Sequence, residues 1–250
     1  MSKPKAVPAP ENPTRAVRPP SPRRTHTTGL NLARAGPWIR AFRLFVKFIF
    51  LLFFRVRVYG PENVPHGPAI VCANHLGWAD AFLILLCLPV EPRIYVLGDR
   101  NVLNISNFRT RVINALRIMV PLDRNKPVEA VRLMESVLKR GGSLLIFPEG
   151  GLGTKEGALL ELEPGAAYLS IRTGVPLLPV GLTGTGQLWL RRTLVVRIGR
   201  PIYPDGFAVD RDARVSDMTA ELSTAMRALL PGDRERPRFK LLCDWLTNLF

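Results

Sequence analysis

His75 and Asp80 stand five positions apart in the stretch Ala69-Ile70-Val71-Cys72-Ala73-Asn74-His75-Leu76-Gly77-Trp78-Ala79-Asp80. A neutral imidazole takes a proton near pH 7, and a carboxylate on its other ring nitrogen fixes the tautomer and stabilises the imidazolium that forms. On one continuous helix, side chains five apart would point about 140° away from each other. The two can meet only if the backbone bends between them, and Gly77 is where it can. The alternative is a structural histidine at the start of a helix.

A second stretch carries complementary chemistry. In Pro148-Glu149-Gly150-Gly151-Leu152-Gly153-Thr154-Lys155, Gly150, Gly151 and Gly153 let backbone N–H groups approach an anion closely. Thr154 can donate a hydrogen bond and Lys155 brings a point charge. Arg124 can grip a phosphate with two parallel hydrogen bonds. Glu149 can bind a substrate hydroxyl or brace the loop. The alternative for this loop is a solvated glycine turn. It is not a nucleotide-binding phosphate loop, because Gly153-Thr154-Lys155-Glu156 lacks the required order. A Gly-x-Ser-x-Gly elbow is absent, and no serine or cysteine stands in an obvious nucleophile position. The residues therefore suggest His-assisted activation of a hydroxyl on a phosphate-bearing substrate, without a covalent intermediate.

These residues need a frame. Ile70 to Ala73 is a short β-branched run that reads as a buried strand, and the apolar run after Asp80 reads as a helix to Leu88. Arg55 to Tyr59 alternates like an edge strand. Strands are also expected at Arg93 to Leu97, Ile118 to Leu122, Ser143 to Phe147, Val175 to Leu182 and Thr193 to Ile198. Helices are expected at Asn104 to Leu116, Pro127 to Arg140, Pro164 to Gly174 and Ser216 to Leu230, the last with Met218, Leu222, Ala225 and Leu229 on one side. The alternation predicts an α/β fold with a mixed, mostly parallel sheet flanked by helices. In such sheets, sites gather in loops beyond the carboxyl ends of strands.

The flanking segments differ in character. Residues 1–35 are rich in Arg, Lys and Pro and poor in apolar residues, which predicts a disordered basic tail. Residues 36–54 are the most apolar part of the chain. Arg40, Arg43 and Lys47 fall on one helical face there, and phenylalanines crowd the rest. The uninterrupted apolar part is too short to span a bilayer of about 30 Å, so a helix lying in the membrane interface is expected. Burial against the core, or a spanning or re-entrant arrangement, is the alternative. Residues 55–205 form the expected catalytic domain and 206–250 a helical extension. Its last segment, from Phe239, docks on the domain or touches the membrane.

With 250 residues and a formal net charge of +15, the chain calls for an acidic partner: nucleic acid, an anionic membrane surface, or phosphorylated or CoA-like substrates. Specific nucleic-acid binding is not expected, because aromatic residues are not interleaved with basic ones on a sheet or groove. Three scattered cysteines suggest neither a disulfide framework nor a zinc site. No metal or cofactor is expected.

Asn74-His75 with Asp80, followed by Phe147-Pro148-Glu149-Gly150, resembles the glycerophospholipid acyltransferase family, which includes 1-acylglycerol-3-phosphate acyltransferases. Val120-Pro121-Leu122-Asp123-Arg124 resembles that family's middle block, and Val175-Pro176-Leu177-Leu178-Pro179-Val180 its fourth. The resemblance implies that His75 is the general base and that Asp80 orients it. It implies substrate contacts from Asn74, Arg124, Glu149, Gly150, Gly151, Thr154 and Lys155, and an acyl channel shaped by Pro179. The expected reaction moves an acyl chain from acyl-CoA or acyl carrier protein to the hydroxyl of a lysophospholipid. The leading acceptor is 1-acylglycerol-3-phosphate, giving phosphatidic acid. Another lysolipid or aminolipid acceptor, or a non-catalytic lipid-binding role, is the alternative. The chain departs from the family where Gly151-Leu152-Gly153 replaces the usual Thr-Arg-Ser, so that Lys155 or Thr154 takes the arginine's place. A second departure is Leu116-Arg117, where the middle block usually carries a glycine. The expected location is the cytoplasmic face of a membrane.

Overall fold

The structure, a computed structural model, describes residues 36–99, 119–122, 126–153, 155–205, 210–231 and 247. The expected tail, the helix expected at Asn104 to Leu116, and Arg124, Thr154 and most of the C-terminal segment lie outside the described residues.

The described chain runs α1 (Pro37–Phe53), β1 (Arg55–Tyr59), β2 (Ile70–Ala73), α2 (Ala79–Cys87), β3 (Ile94–Asp99), β4 (Met119–Leu122), α3 (Pro127–Lys139), β5 (Ser143–Ile146), α4 (Gly165–Thr173), β6 (Leu177–Thr183), β7 (Thr193–Ile198) and α5 (Arg211–Ala228). The seven strands form one sheet in the order β1-β7-β6-β2-β5-β3-β4. Every pairing is parallel except β6 with β7. This is the α/β sheet that the alternation of elements predicts, with β1 at an edge.

Alternate residues of each buried strand feed two apolar layers, as the period of two requires. Val71 and Ala73 of β2 join Leu145, Leu178 and Val180 under α1 and α2. Ile70 and Cys72 join Leu144 and Leu177 under α3, α4 and α5. Helix ends carry local signals. Pro127 begins α3, and Gly174 closes α4 in the left-handed conformation, with φ 71°.

Two expectations shift. Helix α5 starts at Arg211 rather than Ser216, because Asp210 caps it by accepting from the Ala213 N–H at 3.0 Å. The first turn is polar, so apolar spacing cannot see it. Of the expected apolar side, Met218 and Leu222 are buried and Ala225 and Leu229 half-buried, and Met226 and Leu230 complete the buried stripe.

Helix α1 divides its surface. Val46, Phe50 and Phe53 pack toward α2, while Trp38, Leu44, Phe45, Phe48, Leu51 and Leu52 are 50–68% exposed. The basic face expected at the membrane is divided: Arg43 is half-buried, Arg40 is exposed but ion-paired, and Lys47 is exposed. Arg40 pairs with Glu91, and Arg43 donates to the carbonyls of Leu86 and Leu88 at 3.0 and 2.6 Å. Those carbonyls end α2, where the helix dipole favours a cation. No helix among the described residues is long and apolar enough to cross a membrane.

Candidate active site

The central strand β2 ends at Ala73, and its parallel neighbour β5 ends at Ile146. Their register, Ile70 on Leu144 and Cys72 on Ile146, brings Asn74-His75 alongside Phe147-Pro148-Glu149. Residues more than seventy positions apart thus meet at one rim of the sheet.

His75 Nδ1 lies 2.8 Å from Asp80 Oδ2. The same oxygen accepts from the backbone N–H groups of Leu76 and Gly77 at 2.6 and 2.8 Å. An oxygen gathering three contacts of this kind acts as an acceptor, so Nδ1 carries the proton and Nε2 keeps its lone pair. Asp80 is fully buried in the first turn of α2, where a helix favours negative charge. The His75 side chain is 27% exposed, so the pair joins a buried carboxylate to a solvent-reaching imidazole. Phe147 stacks on the imidazole, with centroids 4.0 Å apart and planes 14° apart, and so restrains its rotation.

The loop after β5 is tied to the same strand end. Glu149 Oε1 accepts from the His75 N–H at 3.0 Å, and Oε2 accepts from the Leu160 N–H at 2.9 Å. The Gly153 N–H donates to the His75 carbonyl at 2.7 Å. His75 is therefore fixed through both backbone polar groups and one ring nitrogen, leaving Nε2 without a partner among the described residues.

Residues 55–183, just over half of the chain, match the family model described as Acyltransferase. The chain belongs to the acyltransferase family.

Its relatives within that family share a description. The chain is 30% identical over 141 residues to a chloroplastic 1-acyl-sn-glycerol-3-phosphate acyltransferase of Arabidopsis thaliana, covering 54% of this chain and 38% of that one. It is 28% identical over 186 residues to the 1-acyl-sn-glycerol-3-phosphate acyltransferase of Saccharomyces cerevisiae, covering 70% and 60%. The chain thus spans about two fifths of the length of the Arabidopsis thaliana, Brassica napus and Cocos nucifera relatives. Among solved structures, the 1-acyl-sn-glycerophosphate acyltransferase PlsC of Thermotoga maritima superposes with a TM-score of 0.60. It shares 26% identity, with coverage of 76% and 78%.

The remaining expected site residues of this acyltransferase-family chain fall in different places. Asn74, expected to touch substrate, is buried and faces β6: its Nδ2 donates to the Leu182 carbonyl at 3.0 Å and its Oδ1 accepts from the Leu182 N–H at 2.7 Å. It acts as a length of backbone bridging β2 to β6. Of the two roles open to Glu149, the geometry is that of a brace. Gly150 sits in the left-handed region at φ 67°, and a Cβ there would meet Glu163 Oε1 at 2.9 Å. Gly151 and Lys155 are exposed. Pro179 is buried within β6 beside Gly199. Strand β4, which precedes Arg124, ends at the same rim but three strand positions from β2, roughly 14 Å away.

Sequence reasoning missed three supports. Glu156 accepts from the Gly184 and Gly186 N–H groups at 2.8–3.1 Å and so ties the glycine loop to the turn after β6. Arg192 is buried, stacks 4.0 Å over Trp189 and donates to the Gly184 carbonyl. Phe147 covers the imidazole. Only Phe147 carried a signal, as the first residue of the Phe-Pro-Glu-Gly block.

An open apolar cleft lies between α1 and α2, lined by Phe42, Val46, Phe82, Leu85 and Val90. It lies toward the end of α2 remote from His75. The His75–Asp80 pair is toward the other end, where Trp78 meets Phe50 of α1 edge-on at 6.3 Å. The site and the exposed helix are thus neighbours.

Proposed function

We propose that the chain transfers an acyl group from acyl-CoA or acyl carrier protein to the free hydroxyl of a lysophospholipid. The leading acceptor is 1-acylglycerol-3-phosphate, with phosphatidic acid as product. The observation that carries this reading is the His75–Asp80 pair with Nε2 open at the rim. Nε2 takes the proton of the acceptor hydroxyl as its oxygen attacks the thioester carbonyl. Asp80 stabilises the imidazolium that forms. Collapse of the tetrahedral intermediate breaks the C–S bond, and the imidazolium returns the proton to the departing thiolate. No residue of the chain becomes acylated.

The relatives' printed activity supports the lysophosphatidate acceptor. The exposed apolar face of α1 beside Trp78 supports a reaction at the surface of a bilayer, on its cytoplasmic side, where an acyl thioester is available. A different lysolipid acceptor is the second reading, favoured by one observation. Gly151-Leu152-Gly153 carries no side chain that could pair with a phosphate.

A thiol-release assay with palmitoyl-CoA and a panel of lysolipids tests both. Turnover should be fastest with lysophosphatidate, and His75→Ala should lower it by about 10³-fold or more with the fold intact. A His75→Ala enzyme working near the wild-type rate would remove the base from the mechanism. Faster turnover with another lysolipid would select the second reading.

A further inference from the structure

The turn between β6 and β7 does something that neither the site nor the fold requires. Leu190 stands 48% exposed at its tip. Arg191 follows in the left-handed region at φ 66°, among the described residues the one non-glycine with positive φ. Such backbone is held only where surroundings enforce it. Here the enforcement is visible. The Arg191 N–H donates to the Phe53 carbonyl at the end of α1 at 2.6 Å, and the Arg55 N–H donates to the Arg192 carbonyl at 2.8 Å. Below the tip, Arg192 is buried against the Trp189 ring. A rigid root thus holds an apolar residue and a cation outward, against the last turn of α1.

We infer that this turn is a second lipid contact, continuous with the exposed face of α1, and that the two together set how the His75 rim faces an anionic bilayer. The inference rests on the membrane reading of α1. Leu190 adjoins the helix end that carries exposed Leu51 and Leu52. Lys47, Arg55 and Arg191 of the same segments are exposed. Residues 36–60 and 187–200 contain no Asp or Glu at all. An apolar tip accompanied by cations, within stretches that carry no acid, fits the headgroup layer of an anionic leaflet, where leucine enters and arginine pairs with phosphate. Two contacts joined by a hydrogen-bonded backbone define an orientation, which one helix alone, free to roll about its axis, does not.

Co-sedimentation of the full chain with vesicles of phosphatidylcholine, with and without phosphatidylglycerol, tests this. Leu190→Asp should weaken binding to the mixed vesicles about tenfold or more. Arg191→Gly should weaken it about fivefold on mixed vesicles and little on phosphatidylcholine alone. Its Tm should not fall, because glycine suits the left-handed backbone, so the loss cannot come from unfolding. Phe45→Glu with Phe48→Glu probes α1 separately. If the α1 variant loses binding while both turn variants bind like wild type, the second contact is wrong and the helix reading stands. If all three bind like wild type, the membrane reading falls and this proposal with it.

Discussion

At the scale of single residues, the site turns on two carboxylates that hold the backbone around His75. Asp80 Oδ2 collects three contacts on one oxygen, so the carboxylate sets the His75 tautomer and shapes the Gly77 turn together. Glu149 does for the backbone what Asp80 does for the ring. Both its oxygens accept N–H groups, from His75 and from Leu160. In Glu149→Gln the amide oxygen can serve one donor, but its NH₂ would face the other, leaving a partly buried N–H unmet at about 1–3 kcal/mol. That variant should therefore lose thermal stability and turnover together, measured as Tm and kcat. An unchanged Tm with a raised KM for the lysolipid would show that Glu149 touches substrate instead.

At the scale of elements, α1 and α2 form the platform beside the site. Their antiparallel contact is clamped at one end by Phe50 against Trp78 and Phe82, and at the other by Arg43 on the last carbonyls of α2. Burial disfavours the charge on Arg43, which is compensated by those two carbonyls and the dipole behind them. Arg43→Ala should cost about 1–2 kcal/mol and lower Tm by several degrees, while Lys47→Ala on the exposed side changes it little. Equal effects of the two in a thermal melt would show that Arg43 is not a helix cap. The basic face of α1 was legible as a pattern in the sequence. Its direction was not, because a cationic stripe at helical spacing suits a lipid headgroup and a helix C-terminus equally well.

At the scale of the whole molecule, α3 and α4 are joined across the far layer by one buried carboxylate. Glu135 accepts from Arg172 and from Lys139, the latter at 3.2 Å. Burial works against its ionisation, but the two cations outweigh that and hold its pKa below the usual 4.5. A folded pKa below the unfolded one stabilises the fold fully above the unfolded value, and the gain is lost as pH falls through the folded value. The Tm difference between wild type and Glu135→Gln should be largest at neutral pH and close below about pH 4.5. A difference that does not change with pH would assign the effect to packing rather than to charge.

Legibility follows the range of the interactions. The strands, helices and caps rest on neighbours within a few positions, so periodicity, proline and glycine announced most of them, and the bend at Gly77 announced the meeting of His75 with Asp80. The β6 bridge made by Asn74 was not legible, because a polar residue after a strand reads the same whether it faces substrate or bridges to a neighbouring strand. Glu156 and Arg192 were invisible because their partners are backbone groups reached only after the chain has folded back. What the sequence alone determined was the chemistry, an imidazole and a carboxylate across a glycine bend, and the kind of sheet that carries it. What only the tertiary structure decided was adjacency: the parallel register of β2 with β5 sets Glu149 under His75, and the packing of α1 turns Arg43 and Phe50 inward while Trp38, Phe45 and Phe48 face out. Adjacency of that kind is set by contacts between residues distant in the chain, and no local pattern encodes it.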